Sequence, residues 1–180
     1  AEEELPTDKD LGVEEEEDFG AAPAQEEQEV SFLESFSRNG KFTVRQRQKL
    51  KTEPVIESFV AQLSEAIEDK RASGEVLVIE DFDISQNKIP TEWLEAIFST
   101  LADGGVLVER FRAFGCPTMN DQAVMLLAGW LAGMTAESMM FELHLSDCAI
   151  TGEGFQDMIK AMQDNEAFPG PDPRRPGSSS

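Results

Sequence analysis

The sequence predicts an α/β fold in which parallel strands on one side alternate with helices on the other, and three observations lead there. First, "IEDFDISQNKI" from Ile79, "VERFRAFGCPT" from Val108 and "MFELHLSDCAI" from Met140 superpose without gaps: each places apolar groups at positions 1, 4 and 6, then Asn or Cys at 9. Second, each is followed by apolar residues spaced three and four apart, the mark of one buried helix stripe. Third, the steps are regular, 29 residues from Asn87 to Cys116 and 32 from Cys116 to Cys148. A strand and a helix repeated at a near-fixed period stack as parallel strands against helices, because no such unit buries its apolar face alone.

Along the chain, residues 1–30 carry thirteen Asp or Glu against Lys9, with few large apolar groups, and are expected to form an acidic disordered arm. Residues 38–51 are the opposite: Arg38, Lys41, Arg45, Arg47, Lys49 and Lys51 meet no acid. The stretch 31–52 is therefore expected as a basic linker or docking segment, with Phe32, Leu33 and Phe36 resting on the following helix or on a partner. Thr52 opens a helix from Glu53 to about Ala72, with Ile56, Phe59, Val60, Leu63 and Ile67 on one side and Gly74 at its end; this is the expected N-terminal capping helix. Strands are expected near 79–84, 108–113 and 140–145. The helices between them present Trp93, Leu94, Ile97, Phe98 and Leu101; then Ala123, Leu126, Leu127, Trp130 and Leu131; then Phe155, Met158, Ile159 and Met162. Thr91, Asn120 and Thr151 stand where N-caps belong, and Gly104 is available for a left-handed residue at the end of the first of these helices. Phe168 falls where a fourth strand would start, but Pro169, Pro171, Pro173 and Pro176 prevent strand pairing, so 169–180 is expected as a disordered Pro/Ser tail. The third strand is left with an open edge, to be covered by a partner or by further repeats.

These segments resemble the leucine-rich repeats, within them the long ribonuclease-inhibitor-like class, whose signature L-x-x-L-x-L-x-x-N/C-x-L is carried by "MFELHLSDCAITGEGF", by "IEDFDISQNKI" and, with Ala113, Thr118 and Pro117 departing from it, by the middle unit. The resemblance covers about residues 76–168. It implies a short solenoid of about three repeats, strands concave and helices convex, that binds other macromolecules through the strand face and performs no catalysis. It also makes Asn87, Cys116 and Cys148 equivalent ladder residues, each satisfying backbone groups in the turn after its strand.

His144 and Cys148 are not expected to form a metal or catalytic pair. Side chains alternate along a strand, so His144 points out between inward Leu143 and Leu145, and zinc needs more ligands than these two. With the strands in register, the outward residues make three lateral rows: Asp81, Arg110, Glu142; Asp83, Arg112, His144; and Ser85, Phe114, Ser146. Two readings of these rows stand. In one, unlike charges on adjacent strands neutralise each other as a solvated ladder. In the other, Asp81, Asp83, Arg110, Arg112, Phe114, Glu142 and His144 form a partner-binding face, with Phe114 as an aromatic anchor flanked by arginines. A distorted middle unit that folds Phe114 inward is the alternative for that residue.

Charge narrows the partners. Residues 53–168 hold 21 acids and 6 bases, which argues against direct nucleic-acid binding by that body and for protein partners, basic ones among them. No stretch of about 18 apolar residues exists to span a membrane. The chain starts at Ala1 without a signal-peptide pattern, so its targeting information can be missing; two cysteines are too few for a disulfide framework and favour a reducing compartment. There is no Gly-rich phosphate loop and only one histidine, and "GEG" at Gly152 opens a repeat helix without a phosphate loop's spacing. The expected function is a non-enzymatic interaction module or small scaffold subunit of a larger assembly, binding through the concave strand face and the acidic arm and needing no cofactor. The alternatives are an acidic chaperone for basic proteins such as histones, by analogy with acidic-tailed leucine-rich nuclear proteins, and an actin-regulating repeat protein of the tropomodulin type.

Overall fold

A computed structural model describes residues 31–35 and 39–168. The expected acidic arm and the Pro/Ser tail, with Phe36 and Arg38, lie outside the described residues. The chain order is β1 (Leu33–Ser35), β2 (Phe42–Arg45), α1 (Glu53–Ala72), β3 (Val78–Asp83), α2 (Thr91–Asp103), β4 (Leu107–Val108), β5 (Arg110–Arg112), α3 (Asp121–Ala132), β6 (Glu142–His144) and α4 (Gly152–Gln163). The sheet runs β1-β2-β3-β5-β6, with β4 also on β3; only β1–β2 is antiparallel. β4 and β5 are one strand interrupted at Glu109. Its register never slips, because Val78 faces Leu107 and Asp83 faces Arg112, the same 29-residue step. Arg110 faces Glu142, the 32-residue step.

The parallel order follows from which side chains must leave water. Ile79, Phe82, Ile84, Val108, Phe111 and Ala113, at positions 1, 4 and 6 of the first two segments, are buried, and they share one core with Leu94, Ile97, Leu127 and Leu131 of the helices. Aromatic rings thread this core from one end: Phe32 lies 5.6 Å from Phe59, Phe59 6.0 Å from Phe82, and Phe82 stacks on Phe111 at 5.5 Å. Burying each such ring contributes on the order of 2 kcal/mol, so the run ties successive units together.

The stretch 31–52, read from sequence as a basic linker or docking segment, supplies β1 and β2. Val44 is fully buried and pairs in parallel with Phe82, 38 residues on. Four turns then coincide: Gln48, Gln86, Gly115 and Asp147 all have positive φ, between 56° and 64°, and are separated by the strand steps of 38, 29 and 32 residues. Thus β2 and α1 form a first strand–helix unit of the same kind as the later three, and α1 is a crossover between parallel strands rather than a terminal cap. The β1 strand and Phe32 close that end instead.

The caps are as expected at Asn120 and Thr151, whose side chains accept from the Ala123 and Gly154 amides. Two expectations are corrected. The N-cap of α2 is Pro90, with Thr91 as the first helical residue, and the left-handed residue after α2 is Gly105 at φ +62°, while Gly104 stays right-handed at φ −72°. A side chain at Gly104 would meet Ile67 and the Thr100 carbonyl at 2.8 Å, so close helix packing is what requires this glycine. Phe155, expected in the buried stripe of α4, is 51% exposed, because nothing among the described residues covers it.

Candidate functional site

The ladder residues do what the turn requires of them. Asn87 donates through Nδ2 to the Gln46 carbonyl at 2.8 Å and accepts from the Leu50 amide at 3.0 Å. Cys116 Sγ donates to the Ile84 carbonyl at 3.4 Å and Cys148 Sγ to the Ala113 carbonyl at 3.0 Å. Gln46, Ile84 and Ala113 are register equivalents, so each ladder residue bonds the same carbonyl of the unit before it. Both thiols are free, and burial pushes the pKa of each above the ordinary thiol range. Cys116 is buried, whereas Cys148 is only half-buried, since no described unit packs beyond its own. His144 turns away from it, with Nε2 on Glu142 Oε1 at 2.8 Å on the outer face of β6.

That outer face is the candidate site. Period-2 alternation along the strands sends Asp81, Asp83, Arg110, Arg112, Glu142 and His144 to the side opposite the helices, and the register brings them into the expected rows. The pairing is more diagonal than the rows suggest. Arg112 reaches Asp81 Oδ2 at 2.8 Å, Arg110 lies 4.0 Å from the same oxygen, and Arg110 Nε lies 3.0 Å from Glu142 Oε2. The side chains of Asp81, Arg110, Arg112 and Glu142 are 18–28% exposed, each sheltered by its neighbours. Asp81 Oδ1 is buried without a hydrogen-bond partner, and burial outweighs the two guanidiniums and holds its pKa above the usual aspartate value. Unlike charges pair across the strands, but the array is sheltered, where the first reading had it solvated.

Phe114 is neither folded inward nor flanked by two free arginines. It is half-buried, and the Arg47 guanidinium lies 4.8 Å from its ring centroid. Ser85, in the same row, is fully buried, while Ser146 is exposed. Arg47 and its neighbours were missed as face residues. β2 adds Thr43 beside Asp81 and Arg45 beside Asp83, Arg47 donates to Gln86 Oε1 at 2.8 Å, and Lys41 pairs with Glu109. Alternation of Thr43, Arg45 and Arg47 with Val44 and Gln46 was the signal. It was hidden because Lys49 occupies the place of the ladder Asn or Cys.

Among the described residues no cluster of His, Cys, Asp and Glu is arranged to hold a metal ion, and no helix is long and apolar enough to cross a membrane. "GEG" has a packing role: Asp121 accepts from the Thr151 amide at 2.7 Å and hydroxyl at 2.6 Å, and a Cβ at Gly154 would stand 2.2 Å from Asp121 Oδ1. Comparison with known families, with curated proteins and with solved structures finds no match to this chain.

Proposed function

We propose that this chain is a non-enzymatic protein-recognition module, a short leucine-rich-repeat-like solenoid that binds a protein partner through the strand face. The observation that carries the reading is the charge array on that face: Asp81, Arg110, Arg112, Glu142 and His144 are held by one another in a fixed geometry on the side of the sheet opposite the helices. Side chains already ordered lose little rotamer freedom on binding, and a patterned array of both signs selects a partner with the complementary pattern. The half-buried Phe114 under Arg47 adds a rigid apolar contact at the edge of the array. The acidic body favours a partner carrying basic residues.

The test is affinity capture of partners from the native source by the wild type, by an Arg112→Glu variant, by Phe114→Ala, and by a chain lacking residues 1–30. Arg112→Glu and Phe114→Ala should each lose the partner while keeping the wild-type circular dichroism, and the truncated chain should keep it. Capture that survives both substitutions but vanishes on truncation, and collapses with added salt, would instead identify an acidic chaperone acting through the arm.

A further inference from the structure

The two ends of the sheet differ. At one, β1 covers β2, and Phe32 is buried against Phe59. At the other, β6 pairs with β5 alone, and the apolar groups beside it are uncovered among the described residues. Two adjoining grooves of about 530 and 300 Å³ run there, sharing Leu143, Phe155 and Met158. Phe155 is 51% and Phe168 38% exposed.

The inner units show what such an end accepts. The Ile84 and Gln86 amides donate to the Arg112 and Phe114 carbonyls of the next unit, and the Ala113 and Gly115 amides to His144 and Ser146. The same carbonyl of each unit then takes the next unit's ladder donor: Gln46 from Asn87, Ile84 from Cys116, Ala113 from Cys148. Leu145 is the next position in both series. Its amide and that of Asp147 are the next strand donors, its carbonyl is the next ladder acceptor, and nothing among the described residues meets them. The end is thus a template with a defined register, which is more than an apolar patch.

We propose that the β6–α4 end docks an extended segment of a separate, basic protein. The segment adds a strand parallel to β6, drops apolar side chains into the Leu143–Phe155 groove, and places an Asn, Ser or Cys donor on the Leu145 carbonyl. Charge selects this occupant over a second copy. Asp147 and Glu142 line the grooves, and α4 exposes Glu153 and Asp157 against Lys160. A second copy would bring the same acids and a body with 21 acids to 6 bases, whereas lysines or arginines flanking the segment would be attracted. This surface shares only Glu142 with the charge array of the outer strand face, so either reading can fail alone.

The experiment uses the full chain and a synthetic peptide of the pattern apolar-x-x-apolar-x-apolar-x-x-Asn with flanking lysines, beside the same peptide with flanking glutamates. Binding is read by fluorescence anisotropy, amide exchange and thiol labelling of Cys148, which lines the larger groove. The lysine peptide should bind, slow exchange at Leu145 and Asp147 and protect Cys148. Phe155→Glu should weaken it at least tenfold, as should Phe155→Ser; the position is exposed, so both variants fold. The glutamate peptide should bind at least tenfold more weakly. No binding, equal binding of the two peptides, or protection confined to β1 would overturn the proposal. So would concentration-dependent dimerisation abolished by Phe155→Glu, which would make the occupant a second copy.

Discussion

Cys116 shows how much one side chain decides. It is buried, and its thiol donates to the Ile84 carbonyl. Asn does the same work at position 87, so Cys116→Asn should be tolerated, while Cys116→Leu overpacks the turn and leaves the Ile84 carbonyl to Asn87 Nδ2 alone, for a loss of about 1–3 kcal/mol by denaturant unfolding. Equal stability of the two variants would remove the ladder role. Cys148 sits at the equivalent place with no following unit among the described residues. Its labelling should therefore proceed in the native protein while Cys116 waits for denaturation, and because burial raises its pKa, its rate should keep climbing with pH beyond the range of an exposed thiol. Cys148 that reacted fast and independently of pH would contradict this environment. Spacing in the sequence aligned Asn87, Cys116 and Cys148, the resemblance supplied their role, and in the structure each donates to the equivalent carbonyl of the unit before it. Lys49 was illegible, because the first turn is held by Asn87 reaching back to it and not by a ladder side chain of its own.

At the scale of elements, α3 and α4 meet through Asp121, Thr151 and Gly154. Ala normally stabilises a helix over Gly by about 1 kcal/mol. Here the sign should reverse: Gly154→Ala drives its Cβ into the Asp121 carboxylate, which two bonds from Thr151 hold in place, and should cost about 1–3 kcal/mol. The cost should shrink in an Asp121→Ala background, and an additive double-mutant cycle would refute the contact. The helices themselves were readable from their three-and-four spacing, and α1 at Glu53–Ala72 lies as expected. Strand β2 was not readable, because a run of bases with one buried Val resembles a linker until a neighbouring strand pairs with it. Phe155 was misjudged for the complementary reason: its spacing is that of a buried stripe, but burial needs a neighbour that periodicity cannot supply.

At the scale of the molecule, the described residues form four strand–helix units that share one core, and the sheet's outer face carries a charge array whose members shelter each other. The array gives a pH signature. Asp81 has its folded pKa raised, chiefly by burial, so it adds stability below the unfolded value and loses that contribution as pH rises through the folded one. Its carboxyl resonance should titrate above the ordinary aspartate range, and Asp81→Asn should abolish its share of the pH dependence; an ordinary midpoint would mean that the array is solvated. The proposal that this face recognises a protein is tested most directly by the footprint of a captured partner, read as amide and side-chain shifts in the complex. Shifts centred on Asp81, Arg110, Arg112, Phe114 and His144 are expected. A footprint confined to the outward residues of the helices, such as Met125, with the strand face unperturbed, would contradict it.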